Sequence, residues 1–359
     1  MLFLSILLFL PFFLLCVCMC LPARHGRLAT ISNKWVLFFT FLFVISIAFF
    51  PEELSVDKFR YTRMYFQTLI YGNSIEFRDI GWVGYNSLCG WIFGRNYEWF
   101  YLLTSLIYVF GFYFFAYRYF PKRYIGYFLL MSVGCLGFSS YGTNVIRAGI
   151  AISLLLFASS LKLKKYIRIG ITILIVMISL SFHKSMIIPI VAFMFAKFFD
   201  KFWVPLLIWA ICLVLSMSNF DMGPLFESVG FIDERVERYA NSIDDIGSNY
   251  NKGFRFDFLI YSVVPLIFAL YYILQKNISD STYTQCVRMY LLANGIWLLA
   301  IRMAYSDRLA YLSWFLIPFI TLYPVINYCK AFRDPKTVVF SVMYIFMGLK
   351  IILSMREYL

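Results

Sequence analysis

The sequence predicts an all-α, polytopic integral membrane protein with about twelve transmembrane helices. The chain of 359 residues is 62% hydrophobic and only 14% charged, with a mean hydropathy of +0.77, whereas a soluble domain is closer to half apolar and a quarter charged. Many apolar runs approach the ~20 residues that a helix needs to cross ~30 Å of hydrocarbon. Basic residues recur in the loops between these runs. We treat residues 1–359 as a single membrane domain, because length alone does not divide such a chain.

The apolar runs give the predicted helices in order along the chain. The first run has no basic residue ahead of it, so it is expected to be a retained span rather than a cleaved signal peptide. A few runs of the set are short for a crossing, and a tilted or re-entrant course is expected for them. The predicted spans are 1–21, 35–50, 97–119, 124–141, 144–161, 167–182, 185–199, 202–219, 256–274, 284–301, 308–328 and 337–354.

The basic residues assign the two sides of the membrane. Lys and Arg gather in alternate loops, and such loops face the cytoplasm. These loops are 24–34, 118–123, 162–168, 197–201, the loop at Lys276, and 330–336. This bias explains the net charge of +13 without a nucleic-acid partner. Two longer polar segments, 51–96 and 220–255, then face the outside.

The outer segment 51–96 is expected to begin with an amphipathic helix that lies at the membrane surface. Its polar face, at helical spacing, is formed by Asp57, Arg60, Arg63 and Gln67. Its apolar face is formed by Phe59, Phe66, Leu69 and Ile70. An aromatic stretch follows, with Trp82, Tyr85 and Trp91. The second outer segment, 220–255, is expected to hold a short helix and a polar loop.

A helical hairpin at the centre of the chain predicts a functional site. At about 1.5 Å per residue, Arg147 lies roughly 22 Å from Lys162, and His183 lies roughly 28 Å from Lys164. Both residues therefore return to the same outer surface. A charged group beside a membrane span is costly unless it meets a partner or water, which favours a function for this pair. The alternative is that both side chains only reach into the headgroups.

Two further polar clusters face the outside. One is a short loop with Arg302, Tyr305, Asp307 and Arg308, and the other consists of Asp57, Arg60, Tyr61 and Arg63. Arginine binds phosphate in a bidentate manner and keeps its charge, so several arginines would suit a diphosphate. An ion pair within each cluster is the alternative interpretation.

Asp244 and Asp245 could hold a divalent metal, but adjacent acids in a polar loop indicate this only weakly.

Several functional classes receive no support from the sequence. It contains no P-loop, dinucleotide-binding, zinc-protease or nucleophile-elbow motif. The eight cysteines show no C-x-x-C spacing and are expected to be packing residues. Arg288 and Lys350 are the main charges within spans, and they do not form the midplane relay of a proton-coupled carrier.

Four segments stand out in order along the chain: SVDKFRYTRMY, TNVIRAGIAISLLLFAS, SLSFHKSMIIPI and AIRMAYSDRLAYL. Together they resemble the EpsG family, which is related to the Wzy-type polymerases of bacterial surface polysaccharides. The middle two are the more specific, because N-x-x-R-x-G-I-A followed by F-H-K-S is similar to the core signature of the family. The family usually has Gln after this Arg, whereas the present chain has Ala148. At this position the chain therefore lacks a side chain that could perform the role of that Gln.

The resemblance implies a multi-pass protein of the bacterial cytoplasmic membrane that extends glycans carried on undecaprenyl diphosphate. A growing chain would move from its lipid diphosphate to the non-reducing end of a new lipid-linked repeat unit, with no cofactor and no metal. The implied diphosphate ligands are Arg147, Arg302, Arg308 and Arg60. The implied glycan or lipid contacts are Asn144, Tyr61, Arg63, Tyr305 and Trp82.

The base that accepts the proton of the acceptor hydroxyl has two candidates. His183 is suited because its unperturbed pKa lies near 6.5, and Asp57 is the rival. Expected partners are the lipid-linked glycan, the bilayer, a chain-length regulator and a flippase. Two alternative functions remain open. One is a flippase or transporter of the lipid-linked unit, and the other is a different enzyme of similar architecture, such as another lipid-linked-donor glycosyltransferase or an O-acetyltransferase.

Overall fold

The computed structural model of this protein is helical, and the residues that it describes contain no strand. This agrees with the predicted all-α class. The described residues are 13–21, 27–52, 55–71, 79–199, 201–218, 220–222, 225, 253–303 and 305–356. Residues 1–12 of the predicted first span and most of the predicted outer segment 220–255 lie outside them.

The α-helices of the described residues are numbered here in chain order. They are α1 (13–20), α2 (Asn33–Ala48), α3 (Val56–Tyr71), α4 (Ile80–Phe93), α5 (Tyr97–Tyr119), α6 (Ile125–Gly134), α7 (Leu136–Thr143), α8 (Ile146–Ser160), α9 (Lys165–Phe182), α10 (Ile187–Phe195), α11 (Trp203–Met217), α12 (Phe256–Leu270), α13 (Ser281–Leu298), α14 (Asp307–Trp314), α15 (Ile317–Asn327) and α16 (Pro335–Arg356). A π-helical turn, Tyr271–Gln275, extends α12.

The chain divides into two compact units. Unit 1 comprises Met1–His183 and Thr321–Leu359, and unit 2 comprises Lys184–Ile320. Within unit 1, α8 packs against α5 and α9, α3 packs on α4, and α16 packs on α6. Within unit 2, α13 contacts α10, α11, α12 and α14. The single membrane domain inferred from the sequence stays a prediction.

The contact between α5 and α8 is close because a glycine faces a serine. A Cβ atom at Gly111 would lie 1.9 Å from Ser153 Oγ, so a larger residue does not fit. Ser153 Oγ donates a hydrogen bond to the carbonyl oxygen of Ile107 over 2.7 Å. Small residues and interhelical hydrogen bonds hold helices together in membranes, where lipid removes most of the hydrophobic attraction. This contact therefore fixes α8, and with it the start of the predicted hairpin.

The predicted span 124–141 is broken rather than continuous. A bend of 76° separates Lys122–Gly134 from Leu136–Thr143, because Cys135 has an extended backbone. The buried Lys350 of α16 lies at this break, where its Nζ donates to the carbonyl oxygen of Val133 and to Ser139 Oγ, each over 2.8 Å. Backbone groups freed by a break in a membrane helix need such partners.

Five helices in the described part of the chain are long and apolar enough to cross a membrane, or six if the bent pair forms one span. They include α5, α9 and the helix α12 with its π-helical turn. The predicted spans 35–50, 144–161, 185–199 and 202–219 correspond to shorter apolar helices. The total of about twelve crossings thus stays a prediction.

A buried polar network holds unit 2 together around Asn294 of α13. Asn294 accepts a hydrogen bond from Trp209 Nε1 of α11 over 2.9 Å. Its amide nitrogen donates to Ser262 Oγ of α12 and to Ser313 Oγ of α14, over 3.3 and 3.1 Å. Because one side chain joins four helices, its contacts fix the relative positions of α11 to α14.

Candidate functional site

The predicted amphipathic helix of segment 51–96 is α3. The buried residues are Lys58, Tyr61, Thr62, Met64, Tyr65 and Thr68. Phe59, Leu69 and Ile70, which belong to the predicted apolar face, are exposed. Through its other side α3 lies on α4, where Tyr61 and Tyr65 pack with Trp82. An exposed apolar face suits a helix at a membrane surface, and the position of α3 at that surface stays a prediction.

Lys58 joins the start of α3 to the end of α2. The side chain is only 2% exposed, and its Nζ donates to the carbonyl oxygens of Ala48 and Phe50, each over 2.7 Å. The last carbonyl groups of a helix have no partner within it and carry partial negative charge, so a buried ammonium group stabilises them. Burial lowers the pKa of Lys58 to about 8, although the nearby Glu52 acts in the opposite direction.

Asn144, a predicted glycan or lipid contact, links α3 to the chain that enters α8. Ser55 Oγ donates a hydrogen bond to Asn144 Oδ1 over 2.8 Å and accepts one from the backbone nitrogen of Lys58 over 3.1 Å. Ser55 thereby caps the first turn of α3 and also contacts the break between α7 and α8. The Asn144 side chain therefore positions two elements of the site.

Arg147 forms an ion pair with Asp79, a residue that the sequence analysis did not single out. Arg147 Nη1 lies 2.5 Å from Asp79 Oδ2, and the two side chains are 17% and 7% exposed. Asp79 directly precedes α4, yet its side chain makes no capping bond to that helix. The only sequence signal for this partner is an acid within the outer segment 51–96, ahead of an apolar helix.

The helical hairpin brings Arg147 and His183 to the same end, as the spacing predicts. Ser179 Oγ of α9 donates a hydrogen bond to the carbonyl oxygen of Ala151 in α8 over 2.8 Å. Arg147 lies four residues before Ala151, and His183 lies four residues after Ser179. Because the helices are antiparallel, each step of about 6 Å leads toward the same end of the hairpin. His183 follows the last residue of α9 with an extended backbone.

The first turn of α4 lies against this end of the hairpin. A Cβ atom at Gly81 would lie 2.1 Å from Ser181 Oγ, so glycine is required for the observed approach. One turn later, the Tyr85 ring lies 5.7 Å from the Phe182 ring. Because Asp79 precedes Gly81 and His183 follows Ser181, the ion pair and the imidazole belong to one region of unit 1.

Two of the predicted glycan or lipid contacts, Tyr61 and Trp82, lie inside unit 1. Trp82 is fully buried, and its ring packs on Tyr61 and Phe100 at 5.2 and 5.8 Å. The packing of α3 on α4 and α4 on α5 covers both residues, so neither presents a face to a sugar in this structure. Trp91 of the same segment is 84% exposed and is better placed for such a contact.

The polar face of α3 contains the ion pair that was the alternative interpretation of this cluster. Asp57 Oδ1 lies 3.6 Å from Arg60 Nη1, and both side chains are partly buried. Arg63, one turn beyond Arg60, is exposed. Asp57 and Arg60 therefore neutralise each other in part, whereas Arg63 faces the surroundings.

The family model described as the EpsG family matches residues 34–358. This chain belongs to the EpsG family. Members of the family are polysaccharide polymerase-like proteins of the Wzy type, so the resemblance seen in the four sequence segments is confirmed. Neither a curated protein nor a solved structure matches the chain. Together with the apolar helices, the family indicates a multi-pass membrane protein with a polymerase-like, glycosyl-transferring role.

The late arginine-rich loop of this EpsG-family protein lies in unit 2. The Arg302 guanidinium group donates to the carbonyl oxygen of Ser216 at the end of α11 over 3.4 Å and lies over the Phe254 ring at 5.3 Å. Arg308 lies over the Tyr305 ring at 5.0 Å. The roles of Arg302, Arg308 and Tyr305 toward a substrate stay predictions.

Unit 2 also contains an ion pair that sequence reasoning missed. Arg255 donates through Nε and Nη2 to the two carboxylate oxygens of Asp257, over 2.9 and 2.8 Å, and its guanidinium group lies 3.7 Å from the centre of the Phe258 ring. The pattern R-x-D at the start of α12 was its only sequence signal.

Among the described residues, no group of three or more His, Cys, Asp or Glu could hold a metal. Asp244 and Asp245 lie outside the described residues.

Unit 1 of this EpsG-family protein contains an apolar groove of about 540 Å³ along α2. Its walls include Val17 of α1, Phe43 of α2 and Leu130 of α6. The groove follows α2 from Ser32 to Ser46, roughly 21 Å of helix. A long hydrocarbon chain is the kind of molecule that such a volume and lining can accommodate.

Proposed function

We propose that this EpsG-family protein is a polysaccharide polymerase of the bacterial cytoplasmic membrane. In the proposed reaction, a growing glycan leaves undecaprenyl diphosphate and is joined to the non-reducing end of a lipid-linked repeat unit at the outer face. The observation that carries the proposal is the placement of Arg147 beside the end of the hairpin that bears His183, within a chain of this family.

The chemistry explains why an arginine is needed there. The acceptor hydroxyl oxygen bonds to the anomeric carbon of the donor, and the bond between that carbon and the diphosphate oxygen breaks. The leaving diphosphate takes the electron pair and gains negative charge. A guanidinium group binds two phosphate oxygens at once and stays protonated, so Arg147 would stabilise this charge as it develops.

The proton of the acceptor hydroxyl passes to a general base, for which His183 is the stronger candidate. It shares the end of the hairpin with Arg147, and histidine is the side chain that most often serves as a general base. Asp57 remains the rival. Its carboxylate lies 3.6 Å from Arg60 Nη1 and is engaged in that ion pair.

The lipid part of the substrate also has a suitable place in unit 1. The apolar groove along α2 would hold a segment of the prenyl chain. Phe138 of α7 lines this groove. Asn144 and Arg147, the proposed diphosphate ligand, follow Phe138 along the chain by six and nine residues. In the cell, a flippase would supply the lipid-linked units, and a chain-length regulator would act on the product.

The test is the length profile of the surface glycan in a deletion strain complemented with wild-type protein, Arg147→Ala or His183→Ala. The expected result is long chains with the wild type and single repeat units with both variants, at equal protein levels in the membrane. Long chains with both variants would exclude the assigned site. If lipid-linked units instead accumulate at the cytoplasmic leaflet of the deletion strain, the protein is a flippase rather than a polymerase.

A further inference from the structure

We propose that Asp79 is an exchangeable counter-ion of Arg147. The diphosphate of the substrate displaces the Asp79 carboxylate from Arg147, and the carboxylate returns when the diphosphate product leaves. This inference rests on the proposed function, because it takes Arg147 as the diphosphate ligand. It adds a positioning residue to that site and assigns Asp79 a role in product release.

The first observation is where the Asp79 side chain points. Asp79 is the residue before α4, a position at which aspartate usually accepts a hydrogen bond from the first turn of its own helix. Here the side chain makes no such bond, and its Oδ2 lies 2.5 Å from Arg147 Nη1 instead. The Asp79 carboxylate therefore forms an ion pair with a residue 68 positions away instead of capping its own helix.

The second observation is the burial of the pair. The Arg147 and Asp79 side chains are 17% and 7% exposed, and a charge in such a place is unfavourable unless an opposite charge lies next to it. Arg147 therefore needs an anion at every stage of the cycle. Asp79 supplies it when no diphosphate is bound, and a diphosphate, which carries more negative charge and more oxygen atoms, competes for the same guanidinium group.

The third observation is that the start of α4 is held in place. The close approach of Gly81 to Ser181 anchors the first turn of α4 against α9, so the backbone of Asp79 stays beside the hairpin when the ion pair opens. Rotation of the Asp79 side chain is then sufficient for exchange. The carboxylate remains near Arg147 and can expel a product that has lost its glycan.

The test measures binding of farnesyl diphosphate, a short prenyl diphosphate, to the purified full-length protein in detergent. Asp79→Asn removes the competing charge, and we expect it to tighten binding by roughly fivefold or more. Asp79→Glu keeps the charge and should remain closer to the wild type. Arg147→Ala should abolish binding. The matched control is Asp257→Asn, which removes the acid of the ion pair in unit 2 and should leave the dissociation constant unchanged.

A second readout separates exchange from a purely structural role. In the complemented deletion strain, Asp79→Asn should shorten the glycan although the purified variant binds diphosphate more tightly, because the product leaves slowly. Asp79→Ser, which can cap α4, repeats the test with an intact helix start. Weaker or unchanged binding by a folded, uncharged variant would overturn the inference, and so would failure of both uncharged variants to fold.

The same measurements distinguish the inference from the function on which it rests. If Arg147→Ala binds farnesyl diphosphate as the wild type does, the diphosphate role of Arg147 is wrong, and the role of Asp79 is wrong with it. If Arg147→Ala loses binding while Asp79→Asn does not gain it, only the counter-ion role is wrong.

Discussion

Ser179 donates a hydrogen bond to the backbone carbonyl oxygen of Ala151, and this contact sets the register of α9 against α8. Both residues are fully buried. The register decides that the residue four positions before Ala151, Arg147, and the residue four positions after Ser179, His183, lie at one end of the hairpin.

Replacing Arg147 should strongly reduce the rate of polymerisation. We expect Arg147→Ala to reduce the rate of polymerisation by roughly 100-fold or more, because one donor to a developing charge is worth this much in other enzymes. Arg147→Lys should recover only part of the rate, since lysine keeps the charge but not the bidentate geometry. The measurement is glycan length against time after induction. Full activity of the alanine variant would contradict the assignment.

Two glycines of α4 give a matched pair for testing the position of the site. Gly81→Ala places a Cβ atom 2.1 Å from Ser181 Oγ, whereas a Cβ atom at Gly84 would meet nothing within 4 Å. We therefore expect Gly81→Ala to displace α4, and with it Asp79, and to shorten the glycan. Gly84→Ala should retain long chains and comparable thermal stability. Equal glycan lengths for the two variants would show that the close approach does not matter.

The buried Lys58 should make stability depend on pH in the alkaline range. Burial lowers its pKa from 10.5 to about 8, so between these values the unfolded chain holds more protons than the folded one. The free energy of unfolding should then rise with pH across this window, by at most about 3 kcal/mol. Below pH 8 Lys58 is charged in both the folded and the unfolded protein, so burial of this charge lowers the free energy of unfolding by its full amount.

The measurement for Lys58 is a thermal unfolding series from pH 7.5 to 10.5, with Lys58→Met as the reference. Other lysines and tyrosines titrate in both proteins, so the difference between them isolates Lys58. We expect the wild type to gain stability relative to Lys58→Met as the pH rises. A constant difference would mean that Lys58 keeps an ordinary pKa.

Asn294→Ala should destabilise unit 2. The change removes the hydrogen-bond partner of Trp209 Nε1, and a buried polar group left unpaired costs about 1–3 kcal/mol. Ser262 and Ser313 also lose this partner but keep their hydrogen bonds with Trp314 and Ala310. The expected result is a lower unfolding temperature in detergent. Ser218→Ala is the control, because Ser218 is exposed and its hydroxyl donates to the nearby carbonyl oxygen of Leu215 in the same helix turn.

Filling the apolar groove should interfere with lipid-linked substrate. Leu130→Trp adds bulk to the wall formed by α6, and we expect weaker crosslinking to a photoreactive prenyl diphosphate as well as shorter glycans. Ile173→Trp adds the same group to an exposed position on α9 and should change neither. Undiminished crosslinking of a folded Leu130→Trp protein would argue against a prenyl chain in the groove.

Local sequence features predicted much of this molecule. The apolar runs located α5, α9, α12 and α16 within a few residues, since a helix that crosses lipid must be apolar along its whole length. Helix length alone brought Arg147 and His183 to one end of the hairpin. The amphipathic helix α3 was also predicted, but its sequence did not indicate which face packs on α4. Hydrophobicity does not distinguish a face that packs on protein from one that contacts lipid.

The sequence by itself determined the helical class, the multi-pass membrane character and the family, and it singled out Arg147 for the candidate site. The tertiary structure alone decided that Asp79 is the partner of Arg147, that Tyr61 and Trp82 are buried, and that the span after Lys122 breaks at Cys135. The physical reason is that sequence patterns report on neighbours along the chain, whereas tertiary contacts join residues far apart in it. Periodicity and hydropathy describe neighbours along one helix, whereas an ion pair between residues 68 positions apart depends on how helices pack, and packing is set by many contacts at once.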